Sequence, residues 1–134
     1  MTTLLVIALA TLASPVGDIA QAYALIEKMD FEGAVPVAHG VSENPAASKD
    51  QKVEAMFLEA YCLAVTDKQE QASAVFQKLV ALDIDAKPKF EMEFKANYLF
   101  IQAHDEEVRR RKEAADAEKA KLFATVKMDV KKPE

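Results

Sequence analysis

The sequence predicts an all-α domain built from antiparallel helical hairpins. Three observations carry that expectation. Apolar residues recur at threes and fours through most of the chain, as they do on one face of a helix. Three glycines and no tryptophan in 134 residues leave little material for nucleotide loops or a many-turned β-fold. The chain also matches itself at a spacing of 38 residues.

Length and charge narrow the function classes. The chain is long enough for one domain with a modest core, 51% of it hydrophobic, and too short for a two-domain enzyme. Against 17 basic side chains stand 22 acidic ones, a net charge of −5, which argues against a nucleic-acid partner. The single cysteine, Cys62, excludes an intramolecular disulfide framework and a four-cysteine metal site.

Met1 to Gly17 carry no charged side chain, and Leu4 to Ala10 are all apolar. Spanning a bilayer takes about 20 apolar residues, so no membrane span is expected. The run matches the middle of a secretory signal, with Ala8-x-Ala10 as a cleavage pattern, although no Lys or Arg leads it. Residues 1–14 therefore read either as a signal peptide or as an apolar first helix ended by Ser14-Pro15. The first reading makes the mature protein periplasmic or secreted, the second cytoplasmic.

The helical domain is assigned to residues 15–103. Ile19, Ala22, Tyr23, Ile26 and Met29 share one face of a first helix from Asp18, which is a candidate cap. Asp30 is placed to cap a second helix, Phe31 to Val41, with Ala34, Val37, Ala38 and Val41 on one face and Pro36 kinking its early part. Ser42 to Asp50 reads as a loop, Gln51 to Val65 as a third helix and Gln69 to Leu82 as a fourth. Asp83 to Pro88 breaks the pattern, and a long helix is expected from Lys89.

The 38-residue shift places Ala22 on Ala60, Tyr23 on Tyr61, Leu25 on Leu63, Ala34 on Ala72 and Val41 on Leu79. Small residues fall on small ones because two helices approach closely only where a small side chain faces the partner. The unit from Val53 to Ala86, with Met56, Ala60, Leu63, Ala72 and Phe76, resembles a tetratricopeptide repeat. The first unit, about Pro15 to Ser48, keeps Ala22, Leu25, Phe31, Ala34 and Val41, and a half unit begins at Lys89 with Met92, Ala96 and Leu99. Glu59 and Ile84 depart from the family, which favours Leu and Pro there. The resemblance implies helix, turn and helix units, with Ala22, Ala34, Ala60, Ala72 and Phe76 at the packing positions.

The resemblance also implies a concave groove, lined by the first helices of successive units, that receives a protein or peptide. Carried onto this chain, the lining is Ile19, Tyr23, Ile26, Phe57, Tyr61 and Val65, with Asn97 and Phe100 from the half unit. Tyr23 and Tyr61 hold equivalent places, so their rings are expected side by side. The competing reading makes these residues core, covered by a neighbouring helix. Lys or Arg does not recur along these faces in the manner of the carboxylate clamp of some chaperone-binding members.

Catalytic and metal constellations are poor. His39 and His104 stand apart, with no second ligand at helical spacing. His39 reads as a helix-end residue, His104 as a solvated one, and Cys62 as a small buried hydrophobe. Glu91 and Glu93 lie on different helix faces and make no acid–base pair. Neither a metal nor a cofactor is expected, and an enzyme is disfavoured. The expected function is a non-catalytic interaction scaffold or adaptor of a bacterium. A cytosolic co-chaperone with a structural N-terminal helix is the alternative, and a small helical enzyme the weaker one.

Residues 104–124 read as a charged helical extension. His104 to Lys121 holds six basic and six acidic residues, with Glu106/Arg110 and Glu107/Arg111 in the favourable order. Phe94, Ile101, Val108, Ala115 and Leu122 fall at sevens, but the companion positions turn polar, which fits a projecting solvated helix better than a dimer seam. Alternation of polar and apolar residues is read only in the tail, residues 125–134, through Val126, Met128 and Val130. That tail is expected to be frayed or to add a strand to another molecule.

Overall fold

The computed structural model describes the backbone of residues 14–130 and the side chains of residues 14–126. The signal or helix expected at the N-terminus lies outside the described residues, apart from Ser14. Five helices follow in order: α1 Pro15–Glu27, α2 Phe31–Ser42, α3 Lys49–Val65, α4 Gln69–Leu82 and α5 Phe94–Val130. Among the described residues there is no strand. Each helix packs on the next, and α1 also meets α3, as α3 meets α5. Helices α1, α3 and α5 thus form one layer, backed by α2 and α4.

Capping chemistry decides where the helices begin. Ser14 Oγ accepts from the Gly17 N–H at 3.1 Å with Pro15 in the first turn, so Ser14-Pro15 opens α1, and Asp18 sits inside it. Proline is suited to that place because its fixed φ is helical and its missing N–H has no partner there. Asp30 caps α2 as expected, accepting from the Gly33 N–H at 3.0 Å, and the helix runs through Pro36. Ser48 and Gln51 form a reciprocal box, Ser48 Oγ accepting from Gln51 N–H at 3.1 Å and Gln51 Oε1 from Ser48 N–H at 2.9 Å. The box moves the start of α3 from Gln51 to Lys49.

The two hairpin turns are copies. After α1, the N–H groups of Met29 and Asp30 return to the carbonyls of Ile26 and Leu25 at 2.9 and 2.8 Å. After α3, those of Asp67 and Lys68 return to Ala64 and Leu63 at 3.3 and 2.9 Å. Both are Schellman terminations, each with one residue in the left-handed region. The 38-residue repeat read from side chains therefore recurs in the backbone.

Two helix expectations are corrected. The long helix starts at Phe94 rather than Lys89, leaving Asp83 to Glu93 as a non-helical strap. The tail is helical rather than strand-like as far as Val130, because α5 continues through it.

The larger core cluster joins α3, α4 and α5, with Phe57, Phe76, Leu79 and Ala96 buried in it. A second cluster joins α1, α2 and α3 around Ala22, Ala38 and Leu58. Ala22, Ala34, Ala60, Ala72 and Phe76, the expected packing residues, are all fully buried. Burying a large apolar side chain such as Phe76 or Leu58 contributes about 1.5–3 kcal/mol.

Candidate binding groove

The layer formed by α1 and α3 carries Tyr23 and Tyr61 toward one surface, but their rings do not pair with each other. Phe90 of the strap stands between them. Its ring meets Tyr23 edge-on at 6.1 Å and 87°, and Tyr61 at 5.3 Å and 73°. Phe31, at the start of α2, also meets Tyr61, at 6.2 Å. Edge-to-face rings set the positive rim of one against the negative face of the next, which adds about 0.5–1.5 kcal/mol per pair beyond burial.

Glu54, one turn before Leu58 on α3, lies on the polar side of this aromatic cluster. Its Oε1 accepts from the Tyr23 hydroxyl at 3.2 Å, and its Oε2 lies 3.2 Å from Lys89 Nζ. Burial pushes the Tyr23 phenol up to about 12, with the charge of Glu54 and their hydrogen bond adding to it. The phenol therefore remains a proton donor to the carboxylate throughout the neutral range. Tyr61 is raised as well, by burial first and then by Glu93 and Cys62.

The other expected lining residues divide. Ile19 and Ile26 are half-buried and pack with Ala22 and Tyr23. Val65 is half-buried and Asn97 exposed. Phe57 is a correction: 1% exposed, it belongs to the core, its ring 6.4 Å from Phe76 and 5.1 Å from Phe100. Phe100, half-buried, closes that cluster from α5. The Phe100 ring turns to Phe57 and Phe76 in that core, so it does not extend the aromatic surface around Tyr23 and Tyr61.

Across the fold, between α2 and α4, Glu59 is buried with Oε1 3.1 Å from His39 Nδ1. Burial raises the Glu59 carboxyl above its ordinary value, while His39 and then Lys78 pull it back. A carboxylate with a facing imidazole explains how the chain tolerates Glu where a leucine is expected. Cys62 is fully buried, and burial pushes its thiol up to about 12, so it is a protonated core residue at neutral pH.

No family model, curated protein or solved structure matches the chain significantly. Among the described residues, no group of three or more His, Cys, Asp or Glu side chains is placed to hold a metal, and no helix is long and apolar enough to cross a membrane.

Sequence reasoning missed Glu54 and Phe90. Glu54 is an ordinary helical glutamate in the sequence, and only the fold brings Tyr23, 31 residues earlier, against it. Phe90 did carry a signal: Pro88, Phe90 and Met92 alternate with Lys89, Glu91 and Glu93, the spacing of an extended segment lying on a surface. The half-buried and exposed residues of the strap follow that alternation.

Proposed function

We propose that the chain is a non-catalytic interaction module of tetratricopeptide type, which holds an extended segment of a protein partner in the groove between α1 and α3. The observation that carries this reading is the equivalence of Tyr23 and Tyr61, one from each hairpin copy, both turned to a single aromatic side chain. Tyrosine suits such a surface because it offers a broad apolar face, little rotamer freedom to lose and one polar tip. Glu54 adds a carboxylate for a cationic group of the partner.

In this reading the module works in the periplasm or outside a bacterial cell when residues 1–14 are cleaved, and in the cytoplasm when they are retained. N-terminal sequencing of the mature protein separates the two.

The test is selection from a displayed library of random peptides on the full chain and on Phe90→Ala, which empties the space between the tyrosines. Peptides enriched on Phe90→Ala should lose binding when Tyr61→Ala is added, with helicity by circular dichroism retained. No enrichment on either chain, or binding indifferent to Tyr61, would count against the groove.

A further inference from the structure

We infer that the strap Asp83–Glu93 is a ligand held in cis, and that the partner displacing it carries a lysine followed directly by an aromatic residue. The inference rests on the groove proposed above and names its ligand.

The strap has 11 residues, while the turns after α1 and α3 have three each and the α2–α3 connection six. Connections between packed helices usually take about 2–8 residues. Among the described residues, no backbone N–H from Lys87 to Met92 donates to the helices. Side chains alone hold this part: Phe90 between the two tyrosines, Met92 and Ala86 on the α3–α5 core, and Lys89 on Glu54. Proline at 88 disfavours helical backbone at Lys87 and keeps the approach extended. The backbone is irregular there and bends at Lys89 and Phe90, so a segment attached only through alternate side chains is bound as a peptide is bound.

The recognition chemistry follows from those contacts. Glu54 is 15% exposed in its side chain and already accepts from Tyr23, so a cation on its second oxygen balances a largely covered charge. Lys89 is 65% exposed and joins that carboxylate from the solvent side, so another chain's lysine can take its place. The aromatic site immediately after it is bounded by Tyr23 and Tyr61 and accepts a ring edge-on. A second apolar residue two places on would follow Met92.

The probe is a synthetic peptide with the sequence of residues 83–93, added to the full-length chain and measured by fluorescence anisotropy. Phe90→Ala should bind it about tenfold or more tightly than the unaltered chain, whose groove is occupied. Lys89→Glu, which sets a like charge against Glu54 without touching the buried rings, should also open the groove and serves where Phe90→Ala does not fold. In the Phe90→Ala chain, replacing the peptide's lysine at position 89 by glutamine, or its phenylalanine by alanine, should each abolish most binding, whereas replacing the lysine at position 87 should not, and Glu54→Gln should remove the preference for lysine.

Failure of the strap peptide on both opened variants, while library peptides of other sequence bind them, would overturn this inference and leave the groove intact. Failure of every peptide would remove both. Capture seen only as a dimer by sedimentation would assign the site to the strap of a second copy and overturn the separate partner.

Discussion

Met29 and Asp67 stand 38 residues apart and share one left-handed backbone conformation, with φ of 61° and 62°. Each is the residue just past the C-cap of the first helix in its hairpin, where glycine is the usual occupant. An L-residue there costs about 1–2 kcal/mol, and aspartate tolerates the region better than methionine. Met29 is 76% exposed and has little packing to lose. Met29→Gly should therefore stabilise the protein by up to about 1 kcal/mol, part of the gain being offset by the extra freedom of glycine in the unfolded chain. Asp67→Gly should gain less, because Asp67 pairs with Lys95, which holds its carboxyl below the usual range. Urea unfolding checks both, and a destabilised Met29→Gly would contradict the account of the turn.

The small residues at the crossings predict the opposite sign. Ala60 is fully buried in the same cluster as Ala72 and Phe76. Ala60→Leu should cost about 1–3 kcal/mol through overpacking between α3 and its neighbours. An unchanged unfolding midpoint would show that the crossing has room, and the small residue would need another explanation.

Glu59 sets a pH dependence. Its carboxyl is held above the ordinary value, so the folded protein binds that proton more tightly than the unfolded chain does. Its contribution to stability is present below the ordinary carboxylate range and is lost as pH rises through the raised value. Glu59→Gln keeps a hydrogen-bond acceptor for His39 and never ionises. The stability of Glu59→Gln relative to the unaltered protein should therefore rise with pH across the carboxylate range and then level off. A difference constant from acid to neutral pH would mean that Glu59 ionises as freely as in the unfolded chain.

The fifth helix should divide in amide exchange. Among the described residues its last buried side chain is Glu107, which pairs with Arg110 and Arg111 at 3.2 Å each, while Arg111 also donates to the Ala81 carbonyl at 3.3 Å. From Val108 to Val126 every side chain is exposed, including Leu122 and Phe123. Pairs such as Arg109–Glu113 support an exposed helix by about 0.2–0.5 kcal/mol each and do not dock it. Protection should be high from Ala96 to Glu107 and fall steeply beyond Lys112. Even protection to residue 126 that depends on protein concentration would reveal a second copy on the Ile101, Val108 and Leu122 stripe.

Sequence by itself determined the helical class, the 38-residue repeat, the span of α4 and the Asp30 cap. Each of these rests on interactions within a few residues or on the rhythm of buried faces, and both are written along the chain. It also marked Ala22, Ala34, Ala60 and Ala72 as packing positions, all of which the fold buries completely. Tertiary structure decided the rest, and the two alternating segments show why. Lys87 to Phe94 and Thr125 to Val130 both alternate polar and apolar residues, yet the first is non-helical up to Glu93, with a bend at Lys89 and Phe90, and the second is helical. Alternation keeps the backbone out of a helix only where a surface waits for every second side chain. Phe90 finds one between Tyr23 and Tyr61, and Met92 another on the core beside α5. The stretch of α5 leading to the tail has no such surface, since its side chains are exposed from Val108 to Val126. There the chain keeps the helix already begun, because extending it adds one hydrogen bond per residue while a lone strand would leave its backbone groups unpaired.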